Sequence, residues 1–278
     1  MIKRDYRRIA LYLLIVGLLI ISLAPFLWQA LTSLRPDHEI ALRPTRYLPR
    51  STTFAHYLSL FTRKPFTRYF INSFIVSSLA TLGCLTIGSL AAYAFARLDV
   101  PARRLLLWAI LSISIFPPII FLFPIYEMMR AAQLTNNLIA LAIPYMALNL
   151  PFTIWVLTSF FRQIPHELED AALLDGFTRL QILSRIVLPL AAPALVTTGI
   201  LVFIFCWNEF VFALTFTTED TYKTLTAGTA SLSGSSNYEI PWGPLSAATV
   251  LATLPLVVLV FLFQRRIVEG LTAGSVKG

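Results

Sequence analysis

Long apolar runs separated by short polar stretches set the pattern of this chain. They predict spans over Ile9 to Leu31, Tyr69 to Ala96, Leu105 to Tyr126, Leu138 to Phe160, Leu190 to Leu214 and Leu245 to Phe263. Each is about 20 residues or longer, enough for a helix to cross a hydrocarbon core. The fold class is therefore an all-α polytopic membrane protein with six transmembrane helices, and six spans place both termini on one side. Residues 1–8 precede the six-span domain at 9–263, and 264–278 follow it as a tail. The long connections lie at 35–64, 162–189 and 217–243.

Within the second run, Ala80, Cys84, Gly88, Ala92 and Ala96 recur every fourth residue and form a narrow stripe of small side chains. Such a stripe lets another helix approach closely in lipid, so it is read as a packing face in preference to a pore wall. The third to fifth runs are rich in proline (Pro117, Pro118, Pro124, Pro144, Pro151, Pro189 and Pro193). Proline removes an amide donor and kinks a helix, which suits a protein with two conformations around a pathway.

Composition agrees with the pattern: 57% of residues are hydrophobic and 13% charged. The formal net charge of +8 does not indicate nucleic acid, because the basic residues sit at the ends of apolar runs and form no stripe. They read as topology signals and lipid-headgroup contacts. With the N-terminus inside, the cytoplasm holds Lys3, Arg4, Arg7, Arg8, Arg97, Arg103, Arg104, Arg162, Arg179, Arg185, Arg265, Arg266 and Lys277. The later outside loops hold only Arg130 and Lys223. The first outside connection, with Arg35, Arg43, Arg46, Arg50, Arg63, Lys64 and Arg68, goes against the rule. The 162–189 loop and the 264–278 tail are then cytoplasmic, and 217–243 is extracytoplasmic. The basic N-terminus resembles a signal peptide, but its apolar run is too long and has no clear cleavage site, so it reads as a retained first span. Cys84 and Cys206 lie inside apolar runs and read as small core residues.

The segment Glu167 to Pro189 lies between two apolar runs and reads as two short helices with a hinge. Pro165 suits a first helical position, and Glu167, Glu169 and Asp170 follow in or beside the first turn, where the helix dipole favours negative charge. Ala171 and Ala172 extend the helix, and Gly176 after Asp175 predicts a left-handed cap. Thr178 and Gln181 have the spacing of a capping box that opens a second helix. Leu180, Leu183 and Val187 recur there as an apolar face beside Arg179 and Arg185, and Pro189 marks the turn into the next run. Taken alone, this is a solvated amphipathic loop.

In the fifth run, Trp207, Asn208 and Glu209 stand in an apolar setting. A carboxylate there is a functional candidate by default. It also fits a structural hydrogen-bonding pair near the outer interface, and both readings stay open. Asn149 is a weaker candidate of the same kind. The connection Thr217 to Gly243 is read as a flexible loop rich in hydroxyls and amides, suited to a partner or a sugar as well as to any surface. The glycine-rich tail reads as a frayed terminus.

Read together, these residues resemble carbohydrate importer permeases of the maltose and trehalose ABC type, the MalG-like half, from about Ala24 to Gly278. Asp170-Ala171-Ala172-x-x-Asp175-Gly176-Phe177, closing with Ile186-x-Leu188-Pro189, resembles the EAA loop of that family. Asp170 stands where the family has glutamate and Phe177 where it has alanine. Further matches are Asn72-Ser73, the run Ala91 to Arg97, Trp207-Asn208-Glu209 and the tail from Glu269. The tail and Gly234-Ser235-Ser236 look most like trehalose-type members. The resemblance implies a type I ABC importer permease fold in a bacterial cell membrane. It implies four partners: a second homologous permease, an ATP-binding cassette ATPase dimer, an extracytoplasmic sugar-binding protein and a carbohydrate substrate.

The same resemblance implies that Glu167, Glu169, Asp170, Ala171, Ala172, Asp175, Gly176 and Phe177 dock the ATPase. Gly270, Leu271, Thr272 and Gly274 would reach the ATPase interface. Ser233, Gly234, Ser235, Ser236, Asn237 and Tyr238 would probe the binding protein. Asn149, Trp207, Asn208 and Glu209 would border the pathway. No cofactor or metal is expected on this chain; ATP and Mg belong to the ATPase. The alternative is an ion-coupled secondary transporter using Glu209, against which stand the lack of a second embedded carboxylate and of an inverted repeat. An intramembrane enzyme is disfavoured. His166-Glu167 is not followed by the second histidine of a zinc motif, no GxSxG is present, and no lysine follows a glycine as a phosphate-binding loop requires.

Overall fold

The computed structural model describes residues 2–42, 47–232 and 240–273, with side chains described over 8–42, 47–232 and 240–265. Every regular element among these residues is helical. Four helices are long and apolar enough to cross a membrane: Arg8–Ser33, Phe66–Arg97, Leu138–Phe161 and Trp242–Arg265. Two bent pairs, Arg103–Ile113 with Pro118–Ala131 (88°) and Arg179–Leu190 with Ala192–Asn208 (81°), raise the number to as many as six if each pair is one span.

The described chain divides into two compact units. The first draws on Met1–Phe66 and Gly228–Pro255. It contains α1 (Ile2–Ser33), α2 (Asp37–Ile40), α3 (Ala55–Arg63) and the start of α14 (Trp242–Ala273). The connection at 35–64 is thus partly helical. His56 and Leu60 bury one face of α3, and His56 Nε2 lies 2.7 Å from the Arg35 carbonyl. Arg35, counted above among the charges that break the orientation rule, is buried. Its guanidinium lies over Trp28 (4.8 Å to the ring centroid) and donates to the Tyr47 carbonyl, so it is part of the fold. Ser246 joins α14 to α1 by a 2.6 Å bond to Gln29.

The second unit draws on Thr67–Ala227 and Leu256–Gly278. It is built on α4 (Phe66–Arg97), α5 (Arg103–Ile113), α6 (Leu122–Ala131) and α7 (Leu138–Phe161). There follow α8 (His166–Leu174), α9 (Arg179–Ile182), α10 (Leu188–Leu190), α11 (Ala192–Asn208), α12 (Val211–Phe216) and α13 (Leu225–Ala230). The small-residue stripe of α4 is buried along its whole length, as a packing face requires. A side chain at Gly88 would put its Cβ 2.6 Å from Thr153 Cγ2 of α7, so glycine permits this approach. One core cluster gathers Val76, Ala80, Cys84, Tyr145, Cys206 and Phe212. A second, around the C-terminal ends of α4 and α7, gathers Ala92, Tyr93, Leu157, Phe161, Ile182 and Val187.

Two spans predicted as single helices need correction. The Leu105 to Tyr126 span is broken where Pro117 and Pro118 lack amide donors, and a short 3-10 turn at Pro118–Phe121 leads into α6. The Leu190 to Leu214 span starts at a sharp bend at Ala191, flanked by Pro189 and Pro193, and is interrupted again at Glu209 and Phe210. By contrast α7 runs through Pro144 and Pro151, with the Asn149 amide donating to the Tyr145 carbonyl (2.8 Å). The tail is no frayed end as far as Ala273, since α14 continues through it; Gly274 lies outside the described residues.

Candidate functional site

The charged segment after α7 forms the expected helix, hinge and helix. Pro165 stands one place outside α8 as its N-cap, and Gly176 adopts φ +82°, a left-handed conformation that glycine takes without a steric penalty. Thr178 and Gln181 close the capping box in both directions, so the second helix begins where the sequence predicts. Its apolar face differs from the prediction. Leu180 is 65% exposed, while Ile182, Leu183 and Val187 are buried. A π turn follows over Leu183–Val187. Pro189 has no amide to return to the Arg185 carbonyl at that turn.

The predicted coupling residues divide between two faces. Glu167, Asp170, Ala171, Asp175 and Gly176 are exposed. Glu169 and Ala172 turn inward, and Phe177 is half-buried with the Arg185 guanidinium 5.8 Å from its ring centroid. The Glu169 carboxylate is ion-paired with Arg97 Nε at 2.5 Å, accepts from the Tyr93 hydroxyl at 3.0 Å, and has Arg179 at 3.9 Å. Arg97 also meets His166 Nε2 at 2.8 Å and donates to the Ile164 carbonyl. Tyr93 and Arg97, one turn apart on α4, thus hold the inner face of the segment. Sequence reasoning quoted both only within a matching run; their four-residue spacing at the end of an apolar helix was the available signal. The outer face presents Leu168, Leu173, Leu174 and Leu180, with Leu174 at 89% exposure.

The pathway candidates also separate. Asn208 and Glu209 line a cavity of about 520 Å³ with Pro117, Leu148, Ile204 and Phe212. Asn149 is buried, and Trp207 is packed between Phe70 and Phe203. The Glu209 carboxylate accepts from the Tyr145 hydroxyl (2.6 Å), the Phe212 amide (2.9 Å) and the Ala213 amide (3.1 Å). It therefore caps α12 through the Phe212 and Ala213 amides.

The connection from Thr217 is ordered over its first half, contrary to a flexible loop. Asn72 donates to the Thr221 and Lys223 carbonyls (3.0 and 2.9 Å), and Ser73 accepts from the Leu225 amide (2.8 Å). Asn136 Oδ1 accepts from the Thr218 amide (2.8 Å). Asn72 and Ser73 are further positioning residues for which sequence reasoning had no role. Ser233, Gly234, Ser235, Ser236, Asn237 and Tyr238 lie outside the described residues. Of the tail candidates, Gly270, Leu271 and Thr272 continue the backbone of α14.

A helical membrane bundle with an anchored helix-glycine-helix segment at one end is the permease fold of an ABC importer. It superposes with a TM-score of 0.79 on the crystal structure of a bacterial ABC transporter involved in the import of the acidic polysaccharide alginate. The two are 21% identical, over 94% of this chain and 96% of that one. The chain belongs to the family described as binding-protein-dependent transport system inner membrane component, which matches residues 84–272. It is 41% identical to the sulfoquinovosyl glycerol transport system permease protein SmoH of Agrobacterium fabrum, over 94% of this chain and 91% of the relative. It is also 41% identical to the trehalose/maltose transport system permease protein MalG of Thermococcus litoralis, over 96% of each. The chain is thus a non-catalytic, multi-pass permease subunit of the inner membrane, and the ion-coupled alternative is left without support.

Proposed function

We propose that this chain is one of two homologous halves of an ATP-driven, binding-protein-dependent carbohydrate importer, and that its substrate is a disaccharide such as trehalose or maltose. The observation that carries the coupling reading is the two-faced segment at 166–190. Its inner face is held by Tyr93 and Arg97, and its outer face exposes leucines and carboxylates around Gly176. Exposed leucines ringed by charge suit a protein surface that covers them. An ATPase dimer fits, with ATP and Mg held entirely on that partner. The docking face then includes Leu168, Leu174 and Leu180 together with Glu167, Asp170, Ala171, Asp175, Gly176 and Phe177, while Glu169 and Ala172 act from behind it.

ATP-driven closure of the ATPase would move this segment, and its clamp to α4 would carry the motion into the bundle, opening the cavity to alternate sides. Asn208 and Glu209 border the pathway in this scheme, and Asn149 and Trp207 support its wall. Six spans with both termini cytoplasmic, 217–243 facing a sugar-binding protein through the residues around Gly234, and the tail reaching the ATPase complete the proposal. Support for a disaccharide comes from the trehalose/maltose relative; the sulfoquinovosyl glycerol relative makes other glycosides the natural comparison. The test is affinity purification of the tagged chain in mild detergent from cells that express its neighbours. Recovery of a second permease and an ATPase whose hydrolysis rises with one loaded sugar supports the proposal. Recovery of the chain alone, active without ATP, overturns it.

A further inference from the structure

A second feature lies at the same end of the bundle as the coupling segment. Arg104 of α5 and Arg162, just past α7, line a cavity of about 230 Å³ with Trp108, Trp155, Thr158 and Ser159. Arg103 stands beside them, with one donor on the Phe95 carbonyl (3.4 Å). Among the described residues, no carboxylate pairs with Arg104 or Arg162. Burial first, then the fields of Arg103 and Arg104, lower the pKa of Arg162. A guanidinium nevertheless stays charged at neutral pH, so Arg104 and Arg162, both exposed, present two positive charges to the cavity.

Thr158 and Ser159 spend their hydroxyl protons on the Ile154 and Trp155 carbonyls (2.6 and 3.1 Å). The N-terminus of α5 adds further positive potential. Its cap is Ala102, in a left-handed conformation with no side-chain bond, and its first turn has no acid. Arg104, Arg162 and the α5 N-terminus thus make the polar end of the groove a donor-rich, positive surface. Away from the arginines the surface turns apolar: Leu105 and Trp108 are each 69% exposed along α5, and Trp155 is 48% exposed on α7. Tryptophans at such a boundary suit a headgroup region, with one end apolar and the other wet.

We propose that the groove between α5 and α7 binds an anionic phospholipid, its phosphate held by Arg104 and Arg162 with Arg103 nearby and its acyl chains lying along Leu105, Trp108 and Trp155. Charge at one end and apolar surface at the other select an amphipathic ligand over a free anion.

The test is native mass spectrometry of the purified transporter complex, titrated with phosphatidylglycerol, with phosphatidylcholine and with inorganic phosphate. Wild type retains phosphatidylglycerol in preference to phosphatidylcholine, and inorganic phosphate does not displace it. The double variant Arg104→Gln with Arg162→Gln retains it about 10- to 30-fold more weakly. Arg104→Lys with Arg162→Lys, which keeps the charge, stays near wild type, as does Arg130→Gln, whose arginine is exposed and paired with Glu127. Equal retention of the two lipids, unchanged retention in the glutamine pair, a lysine pair as defective as the glutamine pair, or displacement by inorganic phosphate would each overturn the proposal.

Discussion

Arg97 and Glu169 have side chains only 1% and 3% exposed, and they join two parts of the chain whose contacts decide whether the coupling segment is rigid. Removing one partner of a buried ion pair leaves an uncompensated charge, at a cost of about 3–5 kcal/mol. Glu169→Ala should therefore lower the melting midpoint of the purified complex. Glu169→Gln, which keeps an acceptor for Tyr93, should spare more stability yet reduce sugar moved per ATP hydrolysed. Partial recovery by Arg97→Glu combined with Glu169→Arg is expected, and wild-type coupling in Glu169→Ala would contradict the assignment. Glu209 calls for a different result. Glu209→Ala strips α12 of its cap, about 1 kcal/mol, and leaves the Tyr145 hydroxyl unpaired, about 1–3 kcal/mol more. Thermal stability should fall accordingly, and residual uptake should remain insensitive to an imposed ion gradient. The sequence shows Glu169 only as one acid among several in a first helical turn, where the dipole explains it well enough. Its partner Tyr93 lies 76 residues away, so the inward turn becomes visible only once α4 and α8 have met.

Between helices, the close approach of α4 and α7 rests on Gly88. Gly88→Ala should lower the amount of chain in the membrane, because its Cβ meets the Thr153 methyl at 2.6 Å. Thr153→Ser removes that methyl and should restore the level; no rescue would contradict a simple steric contact. At the hinge, Gly176→Pro cannot adopt φ +82° and should abolish ATPase recovery while the chain still inserts. Normal uptake by that variant would rule out the hinge as a coupling element. Most helices were legible from apolar runs, and the two ends of the hinge from cap residues, since both signals are local. The breaks at Pro117-Pro118 and at Glu209 are not legible in the sequence: α7 carries Pro144 and Pro151 without breaking, and no proline stands near Glu209. Whether a proline breaks a helix depends on which neighbours take up the freed carbonyls, and that is a tertiary property. The π turn before Pro189 is illegible for the same reason.

For the molecule as a whole, the apolar runs indicate membrane residence, and family membership establishes what kind of membrane protein it is. The identity of the sugar is not legible in this chain, because Asn208 and Glu209 are the polar residues of an otherwise apolar cavity and both are already engaged with backbone groups. Sugar uptake and ATP hydrolysis measured together in proteoliposomes containing the full complex, with and without the loaded binding protein, decide the matter most directly. Uptake should occur only with ATP and the loaded binding protein, with the two rates rising together and separating in Glu169→Gln. Uptake that proceeds without ATP, or hydrolysis and uptake that stay in step in Glu169→Gln, would contradict coupling through this segment.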